Sequence, residues 1–386
     1  MDIMLLAGTR PEAVKLAPLA LALTGHPALR PVIVHSGQHD AMVEQALAPF
    51  GLLVDERLPL PARRTGTQAE LVAGLLPALD AVLRDRRPAA LVVQGDTTTV
   101  LAGALAAFWR GIPVVHLEAG LRTHDLSAPF PEEGVRQMVS RLAALHLAPT
   151  EAAVAALRGE GVPSDRVVLT GNTVVDAVEH ITARAWPAKN RALAEMELRL
   201  LEEGRRLVLV TSHRRESWGR PLRQVLSAVT DLVSRHPDVE VLFPAHPNPA
   251  VRHHVGAVLG GVPRVTVTGP LEYPDLIRAL RLATVVLTDS GGIQEEAPSF
   301  ATPVVVLRDK TERREAVDSG HARLVGTHPA AILAAAEDVL SGRWRPAGSA
   351  NPYGDGKAAL RSVEAIAELL ALPAHDPVLS EAEPVP

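Results

Sequence analysis

The chain contains no cysteine, which excludes disulfides, thiolate nucleophiles and thiolate metal sites. Aromatic residues make up only 3% of it, so any core must be packed from Ala, Val and Leu. No apolar run is long enough to span a bilayer, and no membrane partner is expected. Residues 1–7, apolar apart from Asp2, break at Gly8 and Arg10, which reads as a first strand and not as the apolar region of a secretion signal. With the missing cysteine, this fits a cytoplasmic location. The formal net charge is -5 and no long basic run occurs, which argues against nucleic acid as a partner. Neither Gly-x-Gly-x-x-Gly nor a Walker A segment is present in usable form, which disfavours a dinucleotide or ATP. His-x3-His and carboxylate-rich ligand patterns are lacking too, so no metal and no other cofactor is expected.

What is present is enough for two cores: 386 residues, 47% of them hydrophobic. Short apolar runs at 3–7, 31–35, 91–94, 114–118, 145–148 and 167–169 alternate with helical stretches at 11–23, 42–48, 68–83, 100–109 and 134–144. A second series has strands at 207–211, 240–243, 265–267, 285–288 and 304–307, with helices at 222–235 and 273–282. Such alternation predicts βαβ units around parallel sheets, an α/β protein. Pro18 should disturb the first helix locally. The reading divides the chain into a Rossmann-like domain over 1–172, a helical connection over 173–205 and a second Rossmann-like domain over 206–345. A final helical segment follows at 346–371. The Pro- and Glu-rich residues 372–386 read as a disordered tail.

In open α/β sheets, ligands sit beyond the carboxyl ends of strands. The polar clusters of this chain fall there. Gly8-Thr9-Arg10-Pro11-Glu12, Gly95-Asp96-Thr97 and Glu118-Ala119-Gly120 follow strands of the first half. Ser212-His213-Arg214, Ala245-His246 and Asp289-Ser290-Gly291-Gly292 follow strands of the second. A Ser-Gly-Gly turn opening a helix offers N–H groups to a diphosphate, although the same serine can simply cap its own helix. Arg10, His213 and Arg214 are cations on the same face. Lys15, one turn past Pro11, either points into the cleft or is an ordinary solvated lysine. Asp96, Glu118 and Glu132 are carboxylates fit for acid and base work in a closed cleft. The plainer readings are that Asp96 caps the helix opened by Thr97 and that Glu132 decorates a helix start. For Glu133 the plainer reading is preferred, and His116 reads as a core residue.

Taken in order, these clusters resemble the non-hydrolysing UDP-GlcNAc 2-epimerases. The resemblance runs from Gly8 to about Ala358 and includes Gly37-Gln38-His39, Pro131-Glu132-Glu133, Gly171-Asn172-Thr173, His213-Arg214-Arg215-Glu216, Thr311-Glu312-Arg313 and Asn351-Pro352-Tyr353-Gly354-Asp355-Gly356. It implies a glycosyltransferase-B-like pair of Rossmann-like domains facing a cleft, with the last helix packed back on the first domain. It implies reversible conversion of UDP-GlcNAc to UDP-ManNAc by elimination of UDP to 2-acetamidoglucal and re-addition. Carried over, Asp96, Glu118, Glu132 and His213 are catalytic. Which carboxylate is the C2 base stays open. Arg10, His213, Ser290, Gly291 and Gly292 match diphosphate positions, Glu296 a ribose position, and Lys15 and Arg313 substrate positions. Gln38 and His39 match a site for UDP-GlcNAc as activator, and a homodimer is implied. The chain departs from the family at Val135, Arg314, Leu271 and Leu276, the last two near the expected uracil. The alternatives are a transferase of the same architecture, an epimerase for a further modified UDP-GlcNAc, and a non-catalytic nucleotide-sugar sensor.

Overall fold

The computed structural model describes residues 1–38, 42–61, 65–212, 218–246, 248–346, 348 and 350–372. The expected tail beyond Leu372, the activator candidate His39 and the catalytic candidate His213 lie outside the described residues.

The apolar runs form two parallel sheets. The first contains β1 (Asp2–Ala7), β2 (Arg30–His35), β3 (Glu56–Arg57), β4 (Ala90–Gln94), β5 (Val114–Leu117), β6 (Leu145–Ala148) and β7 (Val167–Leu169). Its order is β3-β2-β1-β4-β5-β6-β7. The second contains β8 (Arg206–Thr211), β9 (Val239–Pro244), β10 (Val265–Thr268), β11 (Ala283–Thr288), β12 (Val304–Val306) and β13 (Ala322–Leu324), ordered β10-β9-β8-β11-β12-β13. Strands such as β4 are buried along their whole length, as sheets covered on both faces require. The short β3 and β13 were not expected from the sequence.

The covering helices of the first half are α1 (Arg10–Thr24), α2 (Met42–Leu47), α3 (Gln68–Arg86), α4 (Thr98–Trp109), α5 (Glu132–Leu142) and α6 (Glu151–Gly159). α7 (Thr173–Thr182) and α8 (Arg191–Glu203) lead into the second half. There follow α9 (Arg220–Arg235), α10 (Pro249–Leu259), α11 (Tyr273–Leu282), α12 (Gly291–Glu296), α13 (Arg314–Asp318), α14 (Pro329–Leu340) and α15 (Ala358–Leu369).

In both sheets the strand order reverses direction beside the first strand: between β1 and β4, and between β8 and β11. Helices leaving such a pair go to opposite faces and open a crevice at the carboxyl ends. Gly8 to Arg10 follow β1 and Gly95-Asp96 follow β4, while Ser212 follows β8 and Asp289-Ser290 follow β11. The topology alone therefore brings four of the six polar clusters to switch points.

Several cluster residues also start helices. Thr9 caps α1 by accepting from Glu12 N, and Glu12 reaches back in a capping box. Thr97, not Asp96, caps α4 by accepting from Val100 N, so the expected capping role of Asp96 is not found.

The disturbance expected at Pro18 does not end α1, which runs through it as a 15-residue helix. Proline removes one helical hydrogen bond and crowds the preceding turn. In that turn the Lys15 carbonyl accepts a hydrogen bond of 2.7 Å from the buried Thr173 hydroxyl.

α7 packs against α1 and α15 on one side and against α11 and α12 on the other. Asp176 of α7 accepts from the N–H groups of Ala358 and Ala359 at 3.2 and 2.8 Å. It thereby starts α15 where Lys357 supplies no side-chain cap.

Candidate active site

A cavity of about 330 Å³ opens between the two sheets, at both switch points. From the first half it is lined by Arg10, Lys15, Asp96, Glu132 and Arg136. From the second half it is lined by Ser290, Gly291, Gly292, Glu296, Glu312 and Arg313, with Leu271, Tyr273 and Leu276 forming an apolar flank. Nine of the residues singled out from the sequence thus share one cavity: Arg10, Lys15, Asp96, Glu132, Ser290, Gly291, Gly292, Glu296 and Arg313. Glu118 does not line it.

The second-half wall is a helix start. Ser290 makes no side-chain cap to α12; its own N–H donates to the Thr288 hydroxyl at 2.9 Å. Capping its own helix is thus not the role of the Ser290 hydroxyl, and Ser290, Gly291 and Gly292 at the start of α12 line the cavity. A side chain at Gly291 would collide with Arg313, its Cβ falling 2.6 Å from the guanidinium carbon. Glycine is what lets that cation lie over the helix start. Arg10 arrives from the opposite half and donates to the Leu271 carbonyl at 2.8 Å.

Behind this surface lies a buried ion cluster that spans the two halves. Lys15 is 5% exposed, so the solvated-lysine reading fails. Its Nζ is 2.6 Å from Glu118 Oε2 and 2.6 Å from Glu295 Oε2. Arg313 Nε is 2.9 Å from Glu295 and its Nη2 is 3.5 Å from Glu118. Gln94 also donates to Glu118. Glu118 sits directly after β5 with φ 64°, a left-handed conformation that side-chain-bearing residues rarely adopt. Such strain costs about 1–3 kcal/mol and is typical of sites where geometry outranks local preference.

Burial, helped by the charge of Glu295, pushes Glu118 up to about 7, against the pull of Lys15 and Arg313. Burial works against ionisation of Glu295 as well, yet Lys15 and Arg313 together hold it below the ordinary carboxylate value. One acid of the pair is thus poised to carry a proton while the other stays charged. Burial, and then the charge of Glu295, pushes Glu296 up to about 7 as well.

Asp96 faces a cation from its own half. Arg136 Nη2 is 2.6 Å from Asp96 Oδ2 and 3.3 Å from Glu312 Oε1, so it bridges the halves at the cavity edge. Arg136 escaped the sequence reading. Its signal was spacing: it lies four residues past Glu132, on the same face of α5. Glu133 lies in the first turn of α5 and outside the cavity lining, as the plainer reading has it. It is fully buried and accepts from the N–H groups of Thr123 and His124 at 3.0 and 3.2 Å. His116 is buried with its Nε2 2.8 Å from the Gly95 carbonyl, and burial lowers it to about 4. It thus fixes the loop that carries Asp96. Gln38 accepts from the Thr99 hydroxyl at 2.7 Å, outside the cavity lining. Val135 packs in the core, and Arg314 stands exposed at the start of α13. Among the described residues no group of three or more His, Asp or Glu side chains is arranged to hold a metal ion. No helix among them is long and apolar enough to cross a membrane.

The family model described as UDP-N-acetylglucosamine 2-epimerase matches residues 21–367. The chain belongs to the UDP-N-acetylglucosamine 2-epimerase family. It is 40% identical over 370 residues to the UDP-N-acetylglucosamine 2-epimerase of Escherichia coli (strain K12), an alignment covering 95% of this chain and 98% of that relative. Among solved structures, the S. aureus MnaA-UDP co-structure is similar with a TM-score of 0.89 at 38% identity, over 96% of this chain and 97% of the other. The UDP-GlcNAc 2-epimerase from Neisseria meningitidis bound to UDP-GlcNAc is similar with a TM-score of 0.88 at 35% identity, over 95% of this chain and 100% of the other. A likeness of fold alone extends to Acinetobacter baumannii MurG, with a TM-score of 0.56 at 12% identity. The fold of this family member is therefore two Rossmann-like units of the glycosyltransferase-B kind facing a cleft.

Proposed function

We propose that this member of the family interconverts UDP-GlcNAc and UDP-ManNAc by reversible inversion at C2. The observation that carries the reading is the composition of the cavity. The start of α12 in the second half, faced by Arg10 from the first, is the proposed diphosphate wall, and the carboxylates of Asp96 and Glu132 stand on the same half as Arg10. In the proposed reaction the β-phosphate rests on the N–H groups of Gly291 and Gly292 and the Ser290 hydroxyl. A carboxylate takes the C2 proton, the C–H electron pair becomes the C1–C2 double bond, and the C1–O pair leaves on the phosphate oxygen. The products at that stage are 2-acetamidoglucal and UDP. Protonation of C2 from the other face and attack of the phosphate oxygen on C1 then complete the inversion. Arg10 and the helix start stabilise the charge that grows on the diphosphate. Asp96, Glu118 and Glu132 are the carboxylates proposed for proton transfer, with Glu118 acting from behind Lys15 and with His213 as a further participant. Glu296 is proposed for the ribose and Arg313 for the substrate.

The test is incubation with UDP-GlcNAc in deuterated water, followed by proton NMR. UDP-ManNAc carrying deuterium at C2 is expected. Absence of both the new sugar nucleotide and the label rejects the reading. A transferase would instead release UDP only when an acceptor is added. The carboxylates at the cavity favour epimerisation over that alternative. The proposal includes a cytoplasmic homodimer, checked by light scattering and cell fractionation. It also includes activation by a second UDP-GlcNAc at Gln38 and His39, which predicts sigmoidal substrate dependence.

A further inference from the structure

Two sequence motifs take no part in lining the cavity: Gly171-Asn172-Thr173 and Asn351-Pro352-Tyr353-Gly354. The structure brings them into contact, and from there the hydrogen bonds run to both sides of the ion cluster. We propose that residues 351–354 form a strap which, through Thr173, sets the positions of Lys15 and Glu295 across the two halves. Asn351 and Thr173 are then positioning residues for the epimerisation, and the proposal rests on that reading of the function.

The circuit can be followed bond by bond. Asn351 Nδ2 donates to the Glu295 carbonyl and to Ser299 Oγ, each at 2.8 Å. Its Oδ1 accepts from Tyr353 N at 2.9 Å, which fixes the turn of the strap. The Tyr353 ring is 1% exposed, and its hydroxyl accepts from Ala316 N at 3.3 Å. The Tyr353 carbonyl accepts from Asn172 N at 2.8 Å, which ties the strap to the start of α7. The next residue, Thr173, donates to the Lys15 carbonyl at 2.7 Å. Lys15 Nζ closes the circuit on Glu295, 2.6 Å away, and holds Glu118 at the same distance. The turn before Asn172 favours glycine, because Gly171 has φ 87°, in the left-handed region.

Physical chemistry gives the circuit its use. Lys15 is buried with its ammonium held between two carboxylates, so its packed stem has little room to absorb a shift of the backbone. Pro18 removes the helical hydrogen bond to the Val14 carbonyl, and the Thr173 hydroxyl ties the adjacent Lys15 carbonyl from outside the helix. Asn351 fixes the backbone of Glu295 at the other end. The distance between the two charges is thus set by protein contacts that no substrate touches. Small displacements of groups beside the reacting centre are costly to rate.

The experiment uses the full chain with Thr173→Val, Thr173→Ser and Asn351→Ala. Valine keeps the shape of threonine and removes only the donor. Thr173→Val and Asn351→Ala are each expected to lower kcat about tenfold with KM changed less than about twofold, the pattern of a lost transition-state arrangement. Thr173→Ser should return kcat to near the parent value. The double variant Thr173→Val with Asn351→Ala should be no worse than the poorer single one, because both act on one path. Full kcat in Thr173→Val, a loss in KM alone, a loss that serine does not restore, or additive losses each overturn the strap. A parent chain that makes no UDP-ManNAc refutes the proposed function instead. The strap is then read from amide hydrogen exchange of residues 14–19 and 291–296. Faster exchange at both in each variant supports it, and unchanged exchange overturns it.

Discussion

Replacing Lys15 by Met should change how many protons the folded chain holds above pH 7. The ammonium lies 2.6 Å from Glu118 and from Glu295, whose side chains are only 5% and 1% exposed. Breaking a buried ion network costs about 3–5 kcal/mol when the remaining charge is left unpaired. Here a second cation is at hand. Arg313 stays 2.9 Å from Glu295 but 3.5 Å from Glu118. Glu295 therefore keeps its charge, and Glu118, already at about 7, keeps its proton to higher pH. The sign follows from linkage. In the unfolded chain Glu118 titrates near 4.5, so in the parent its raised value makes stability fall as pH rises from 4.5 to about 7 and level off above. In Lys15→Met the fall continues past pH 7 at about 1.4 kcal/mol per pH unit. Between pH 7 and pH 8.5 that amounts to about 2 kcal/mol. With about 2.1 cal/mol/K of unfolding entropy per residue, a chain of 386 residues loses about 0.8 kcal/mol per degree. The gap in thermal midpoint between parent and variant should thus be constant from pH 6 to pH 7 and wider by about 2–3 °C at pH 8.5. Circular dichroism melts in matched buffers measure it. A gap that stays flat up to pH 8.5 refutes the proton on Glu118, and one that narrows refutes the electrostatic account of the cluster.

Gly291→Ala puts a Cβ 2.6 Å from the Arg313 guanidinium carbon, so the arginine must leave the helix start; calorimetry should show UDP binding weakened about tenfold or more, and an unchanged Kd contradicts the crowding. Asp96→Asn removes the charge that Arg136 meets at 2.6 Å; kcat should fall about a hundredfold or more while the thermal midpoint changes little. Undiminished deuterium entry at C2 in that variant clears Asp96 of any part in proton transfer. Glu133→Gln weakens the hold on the N–H groups of Thr123 and His124 and should cost about 1–3 kcal/mol of stability, seen as a lower melting midpoint with faster amide exchange at those two positions.

The strands that position the cavity were legible because they are dense runs of Val, Leu and Ile flanked by glycine and polar residues. β6 and β7 fall at the predicted residues, and most other strands differ by one or two at their ends. The two strands that escaped, β3 and β13, are two and three residues long. Glu56-Arg57 carries no apolar pattern at all, and only its neighbour β2 makes it a strand. Polar residues after strands were legible too, since strand ends at a switch point are where a sheet exposes them. What they touch was not. Asp96 finds Arg136 across 40 residues and Lys15 finds Glu118 across 103, and no local pattern encodes such pairs. The same holds for Thr173, which bonds the Lys15 carbonyl 158 residues away. Glu133 was read as an acid at a helix start, which it is; only the fold shows that two loop N–H groups claim it as well.

The contact between the two halves is of two kinds, and the difference bears on how the cavity works. On one side α7 packs against α11 and α12 within a continuous apolar core that includes Val174, Val178, Ile277 and Ile293. Burial of that kind stabilises at about 25 cal/mol per Å² and has no reason to open. At the cavity the halves meet instead through Lys15 with Glu295, Arg313 with Glu118, and Arg136 with Glu312. Buried ion pairs return in Coulomb energy roughly what they cost in lost hydration, so their net hold is weak even though each partner is expensive to strand. The apolar side therefore fixes how the halves are joined, while the charged side is held close to balance. A diphosphate that adds its own charges to this side can shift that balance by its binding energy, because little net free energy opposes it. A closed cavity built from apolar contacts alone would be harder to enter and to leave, and the acids raised to about 7 would lose the neighbouring cations that keep them within reach of ionisation.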